Sequence, residues 1–212
     1  MGKGEQTRER IVDQALRLAS RDGLEGLTLG SLAAELELSK SGLFAHFGSK
    51  EELQLQVLQE IVTRFKETVV LPAFKAPRGE PRIRAMFENW LKWGKDPSLP
   101  GGCPMVAAAV ELDDRPGAAR DFLVAAKKDL VATLVKSARI AVEAGHFRPD
   151  LDCEQFAFEL DSLYLGFHHA RRLLQDEKAE AKLRAAFEQL LKRAAKSEAV
   201  AQERGEGGDI NG

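Results

Sequence analysis

The chain has 212 residues, with 44% hydrophobic and 30% charged residues and a formal net charge of −2. That is enough for one large or two small domains, and it excludes a fibrous or wholly disordered chain. A charge so near zero excludes a uniformly basic nucleic-acid coat, so any DNA affinity must come from a local patch. No apolar run approaches the roughly 18 residues a membrane span needs, and the polar start MGKGEQTRER is unlike a signal peptide. Cys103 and Cys153 fit neither a zinc spacing nor a disulfide framework, which points to a reducing cytoplasm.

The first predicted element is an amphipathic helix in which Ile11, Ala15, Leu18 and Ala19 recur at helical spacing, widened by Val12 and Leu16. Gly23 is placed to end it in a left-handed conformation, and Leu24 and Leu27 fold back on its stripe. Thr28 is the N-cap of a second helix that buries Leu32, Ala33 and Leu36. Leu38 occupies the following turn as a plug. Ser39 caps a third helix with Leu43 and Phe47 inward, and with Lys40, Ser41, Gly42, Phe44, Ala45 and His46 outward. Ser49 to Glu52 reads as a full capping box. It opens a long fourth helix through Leu53, Val57, Leu58, Ile61, Val62, Phe65 and Val69.

Two short helices joined by a tight turn and followed by a capped helix are how a chain lays one helix in the major groove of DNA. Between Leu38 and Lys50 there is no carboxylate, whereas Lys40, His46 and Lys50 are present. A helix facing phosphates has to keep acids off that face. A plain helical hairpin with a solvated face would share the pattern.

The run from 39 to 53, with Thr28 and Leu32-Ala33 before it, resembles the N-terminal domain of TetR-type transcriptional repressors across segment 7–62. The motif residues are Ser39-Lys40-Ser41-Gly42-Leu43-Phe44, His46-Phe47 and Gly48-Ser49-Lys50-Glu51-Glu52-Leu53. The resemblance implies that Lys40, Ser41 and Ala45 sit where the family reads bases, and that Thr28, Phe44, His46 and Lys50 sit where it grips phosphates. Three positions depart from it. Phe44 replaces the usual Tyr, Glu37 stands where Gly is common, and Gly30 brings no side chain. A Glu held at positive φ costs about 1 kcal/mol.

Beyond the fourth helix, Pro72, Pro77, Gly79 and Pro81 break the chain. Helices are predicted at about 81–96, from Cys103-Pro104 through Leu112, from Pro116 to near Gly145, and at 152–175 and 177–196. No segment alternates as a strand does, so the fold class is all-α. The expected domains are 1–52 for DNA binding, 53–196 for ligand binding and dimerisation, and 197–212 as a disordered tail.

The aromatics of the body suit either an ordinary core or an apolar pocket between helices. The candidate lining is Phe65, Trp90, Trp93, Cys103, Val106, Val110, Phe122, Tyr164, Phe167 and His168, with Tyr164 and His168 as polar anchors. Cys103 precedes Pro104 at a helix start, where backbone N–H groups favour a thiolate. A small buried hydrophobe is the other reading of that cysteine. Asp113-Asp114 reads as a cap rather than a metal site. Leu160, Leu163, Leu183, Phe187, Leu190 and Leu191 are assigned to a dimer seam, a four-helix bundle across a two-fold axis.

The function expected is a dimeric repressor on a pseudo-palindromic operator, released by a small, apolar or aromatic molecule. The partners are double-stranded DNA, a second copy of the chain and that effector, with no membrane and no cofactor. The alternative is a DNA-binding regulator controlled by a protein partner or by modification of Cys103. No Ser-His-Asp set, phosphate loop or catalytic carboxylate pair supports an enzyme.

Overall fold

The computed structural model describes residues 3–196, and the expected tail at 197–212 lies outside the described residues. The elements are α1 (Lys3–Gly26), α2 (Leu29–Leu36), α3 (Lys40–Phe47), α4 (Lys50–Phe65), a π-helical turn (Lys66–Val70), α5 (Leu71–Ala73), α6 (Glu80–Gly94), α7 (Pro104–Leu112), α8 (Ala118–Glu143), α9 (Cys153–Arg172) and α10 (Ala179–Ala194). Among the described residues the sole β feature is an isolated antiparallel bridge, Phe147 to Ala195.

Local chemistry sets the helix ends. Gly23 takes φ 77° and breaks α1 where expected, and Leu24 and Leu27 turn back into the core. At Thr28 the side chain accepts from the Ser31 N–H while the Ser31 hydroxyl accepts from the Thr28 N–H, a reciprocal box two elements earlier than expected. The box expected at Ser49 is half made. Ser49 accepts from the Glu52 N–H at 3.0 Å, but the Glu52 carboxylate accepts from the Gln56 amide instead. Glu37 takes φ 54° and ψ 35°, so the departure from Gly is paid in backbone strain. The Leu38 N–H then returns to the Ala33 carbonyl at 3.0 Å. Leu38 itself is 42% exposed and plugs nothing, because this cap aims its side chain outward.

The fourth helix was expected to run on through Val69. It changes instead to π geometry at Lys66–Val70 before the break. A π turn widens the helix by one residue per turn and is a recurrent feature of functional sites.

Helix α4 joins the two halves. Leu53, Val57, Leu58 and Ile61 are fully buried, with α1 on one side and α8 on the other. A second junction is made of backbone. The Ser20 hydroxyl, buried near the end of α1, donates to the Gly102 carbonyl at 2.8 Å and accepts from the Gly101 N–H at 2.9 Å. A Cβ at Gly101 would fall 1.4 Å from the Ser20 carbonyl oxygen. Ion pairs lash α6 to α10, with Arg84 on Glu80 and Glu188, and Arg184 on Glu88 and Glu180. These groups are near half exposed, so each pair adds little.

Relief of the Glu37 strain is measurable. Glu37→Gly removes about 1 kcal/mol of left-handed cost and gives part back as unfolded-chain entropy. Thermal denaturation should show a midpoint raised by roughly 1–3 °C. An unchanged or lowered midpoint would mean the turn bears no strain.

Candidate DNA-binding face and interior cavities

Helix α3 is anchored by Leu43 at 0% and Phe47 at 3% exposure, and everything else on it is open. Lys40, Ser41, Gly42, Phe44, Ala45 and His46 are all exposed, with Phe44 at 58%. The exposed ring is the one large apolar side chain among the open positions of α3. The Ser39 hydroxyl accepts from the Gly42 N–H at 3.1 Å and lies 3.2 Å from the Ser41 hydroxyl, so cap and candidate base reader are linked. Gly30 has a use that the sequence did not reveal. A Cβ there would sit 3.3 Å from Lys40 Cε and 3.5 Å from Nζ, so its bareness seats the lysine beside the start of α2.

Two of the expected phosphate contacts are already engaged. Lys50 Nζ donates to Glu25 at 3.1 Å, and the same carboxylate meets Arg115 at 2.9 Å. Lys50 and Arg115 together hold the Glu25 carboxyl below its ordinary range, the Lys50 hydrogen bond most of all. The Thr28 hydroxyl is occupied by Ser31.

The expected lining does not enclose one pocket in the body. Trp90, Cys103, Val106, Tyr164, Phe167 and His168 do converge, on a crevice between α6, α7 and α9. Its volume is about 20 Å³, room for one water rather than a ligand. The reason is aromatic packing. Trp90 stacks on Tyr164 with centroids 3.7 Å apart, Phe87 stacks on Phe187 at 3.8 Å, and the Tyr164 hydroxyl donates to the Phe87 carbonyl at 2.7 Å. The intended polar anchor is thus used up inside the core, and burial drives its pKa far upward. His168 is half-buried beside Gly102, and desolvation followed by Arg172 and Arg171 lowers its pKa. Trp93 is buried, edge-on to Phe65. Phe122 is partly buried against the core and borders neither space. Val110 is 72% exposed and leaves the lining altogether, since it falls on the outer side of α7.

A roomier space, about 360 Å³, lies between α4 with its π turn and α8. Of the expected lining only Phe65 borders it; Val62, Lys66, Val70, Leu71, Phe74, Met105, Leu130 and Thr133 are among the others. Sequence reasoning followed the aromatics and so missed a cavity walled mainly by aliphatics. The π turn that opens it carries no sequence signal.

Cys103 is fully buried, and desolvation raises its pKa against smaller opposing contributions from Trp93 and the Met105 and Val106 N–H groups. The expected helix-start activation is present but loses to burial. Among the described residues there is no His, Cys, Asp and Glu group that could hold a metal, Asp113 and Asp114 included. Nor is any described helix long and apolar enough to cross a membrane.

The residues assigned to a dimer seam pack within the chain. Leu160, Leu183, Phe187, Leu190 and Leu191 are each 2–4% exposed, in the joint core of α9 and α10, and Leu163 is partly buried with them. They are the most apolar positions of the two helices, and the subunit's own core takes them first. The outward face of α9 carries Phe158 at 65%, Leu165 at 43% and Leu173 at 70% exposure, with Gly166 between them.

Comparison with known proteins gives this architecture a place. Residues 11–57 match the family described as bacterial regulatory proteins, tetR family, and residues 79–187 match the tetracyclin repressor-like C-terminal domain. The HTH-type transcriptional repressor AcnR of Corynebacterium efficiens is 36% identical over 63 residues, 30% of this chain and 34% of that protein. The similarity thus spans about a third of that curated relative's length. A TetR transcriptional regulator from Chloroflexus aurantiacus superposes with a TM-score of 0.79 at 26% identity, covering 91% of this chain and 96% of that one. A transcriptional regulator from Saccharomonospora viridis, solved in complex with choline, has a TM-score of 0.78 at 19% identity, covering 91% and 100%. With both halves matched and the helix-turn-helix geometry in place, the chain belongs to the TetR family of DNA-binding transcriptional regulators, a family of regulators and not of enzymes.

Proposed function

We propose that the protein is a dimeric cytoplasmic repressor that grips a pseudo-palindromic operator with two copies of α3 and releases it when a small molecule enters the cavity beside α4. The observation that carries this reading is the shared use of α4. One stretch of it supports the reader, and its end with the π turn walls the 360 Å³ cavity. A guest held between the π turn and α8 bears on the element that positions the reader. It shifts the equilibrium only through tighter binding to the form that cannot hold DNA. The choline-bound regulator of the same fold supports a small-molecule effector by analogy.

The domain division proposed is 1–52 for the reader and 53–196 for the body, with the boundary in the first turn of α4. In the reader, Lys40, Ser41 and Ala45 face bases, while Phe44 and His46 lie against the backbone. Lys50 reaches phosphate only by leaving Glu25. For assembly, the outward face of α9 with Phe158, Leu165 and Leu173 is the seam, beside the exposed Ala181 and Ala185 of α10, whose small side chains permit close approach.

Three outcomes test this reading. Lys40→Ala should cost about 1–3 kcal/mol of specific operator affinity and relax preference at one position per half-site. Glu25→Gln frees Lys50 and should tighten binding to all sequences while steepening its salt dependence. Fluorescence anisotropy on a selected palindrome measures both, and parental behaviour in both variants would remove α3 from the groove.

The double variant Phe158→Asp/Leu165→Asp places carboxylates on the outward face without disturbing the subunit core. Sedimentation should show monomers, and operator affinity should fall with them. Intact dimers would move the seam off α9.

Alkylation at neutral pH should label Cys153, which is partly exposed, well before Cys103, and leave operator binding unchanged. Faster labelling of Cys103 with loss of DNA binding would instead make it a sensor.

A further inference from the structure

A second space adjoins the first. It measures about 400 Å³ and is lined by Phe74, Arg78, Gly79, Arg82, Thr133, Lys136, Ser137 and Ile140. Phe74 and Thr133 border both spaces, so the two meet across the Phe74 ring. Their chemistry differs. The first is walled by Val62, Phe65, Val70, Leu71, Met105 and Leu130. The second has three cations and no carboxylate in its lining.

Those cations are unneutralised. Among the described residues Arg78, Arg82 and Lys136 make no ion pair. Arg82 is held in place by neutral partners. Its Nη2 donates to the carbonyls of Phe74 at 3.4 Å and Ala76 at 3.2 Å, and its guanidinium lies 5.2 Å from the Phe74 ring centroid. Its Nε is buried and donates to nothing. A positioned guanidinium whose charge no carboxylate offsets, beside two further cations, suits a planar or tetrahedral oxyanion. Elsewhere the protein pairs its arginines freely, as Arg64, Arg84 and Arg184 each do with two carboxylates. The other charges at the apolar space are Lys127, neutralised by Asp161 at 2.9 Å, and the exposed Lys66 and Asp129.

We propose that the two spaces form one bipartite site for an amphiphile, its apolar body between the π turn and α8 and its phosphate-bearing head on Arg78, Arg82 and Lys136. This rests on the ligand-responsive reading above and supplies the effector's class. Three free cations call for a head with more than one negative charge, which favours a phosphate ester over a carboxylate. The body of such a ligand wedges α4's continuation away from α8, while the head fixes Arg82 and, through the Phe74 and Ala76 carbonyls, the end of α5. The same chemistry occurs in a lipid phosphate monoester and in an acyl nucleotide.

Calorimetric titration of the full chain with decyl phosphate, decanol, decyltrimethylammonium and inorganic phosphate tests the assignment, with operator release followed separately by anisotropy. Decyl phosphate should bind and release the operator. Its affinity should fall at least about tenfold in Arg82→Gln and in Lys136→Gln, while decanol affinity stays unchanged. Lys136 is exposed and supports no fold contact, so its variant is informative even if Arg82→Gln loosens α5. Decanoyl lysophosphatidate and decanoyl nucleotide thioester then separate the two sources of the head, and tighter binding of either than of decyl phosphate supports the site. Equal binding of decyltrimethylammonium, retention of affinity in both variants, or inorganic phosphate binding as tightly as decyl phosphate overturns the bipartite site. Operator binding by the unliganded protein is unaffected by those results. Its absence would overturn the repressor reading on its own.

Discussion

Helix α4 has no side facing only water along its apolar stripe. Leu53 and Val57 close the reader against α1, and Ile61, Val62 and Phe65 carry the stripe into the body against α8. Full burial of each such side chain contributes about 1.5–3 kcal/mol, so rotation or sliding of α4 forfeits contacts in both halves together. A close-packed interior of this kind does not deform continuously. Packing of this kind favours discrete arrangements over gradual deformation. The π turn at the end of α4 sits where that helix leaves its packed neighbours and borders empty space.

The same economy explains the distribution of aromatics. Trp90, Tyr164, Phe87 and Phe187 stack in pairs that weld α6 to α9 and α10. Arg84 and Arg184 lie over the outer faces of the Phe187 and Phe87 rings. This aromatic block is the rigid wall of the subunit. The space beside α4 and α8 is walled mainly by aliphatics, where Val62, Val70 and Leu130 leave room. The stacked rings and the open space are thus separated within one body.

How much of this could be read from residues alone follows from the range of each interaction. Helix ends at Gly23, Thr28, Ser39 and Ser49 are decided within three or four residues, and those positions were readable. So were the inward residues of the first four helices, because a buried stripe repeats at a fixed period. The strain at Glu37 was readable as a conditional. The cavity was not, because aromatic side chains look the same in sequence whether they line a void or fill one. The choice between them depends on which rings meet across α6 and α9, a long-range matter. The burial of the residues assigned to a seam was hidden for a related reason. Ranking α9 and α10 by apolarity selects the residues that each subunit consumes internally. The outward face, Phe158 and Leu165 among polar neighbours, stands out only once the inner face is known.

The joint between Ser20 and the Gly101–Gly102 loop has one more consequence. It is built of main-chain groups and a single hydroxyl, and it excludes any side chain at residue 101. A seam of that sort is indifferent to what the rest of the body is made of. The lining of either cavity lies outside this joint and can change without altering it. Interchange of parts between relatives therefore carries one added requirement: a transplanted α1 has to travel with the Gly101–Gly102 loop it was shaped against.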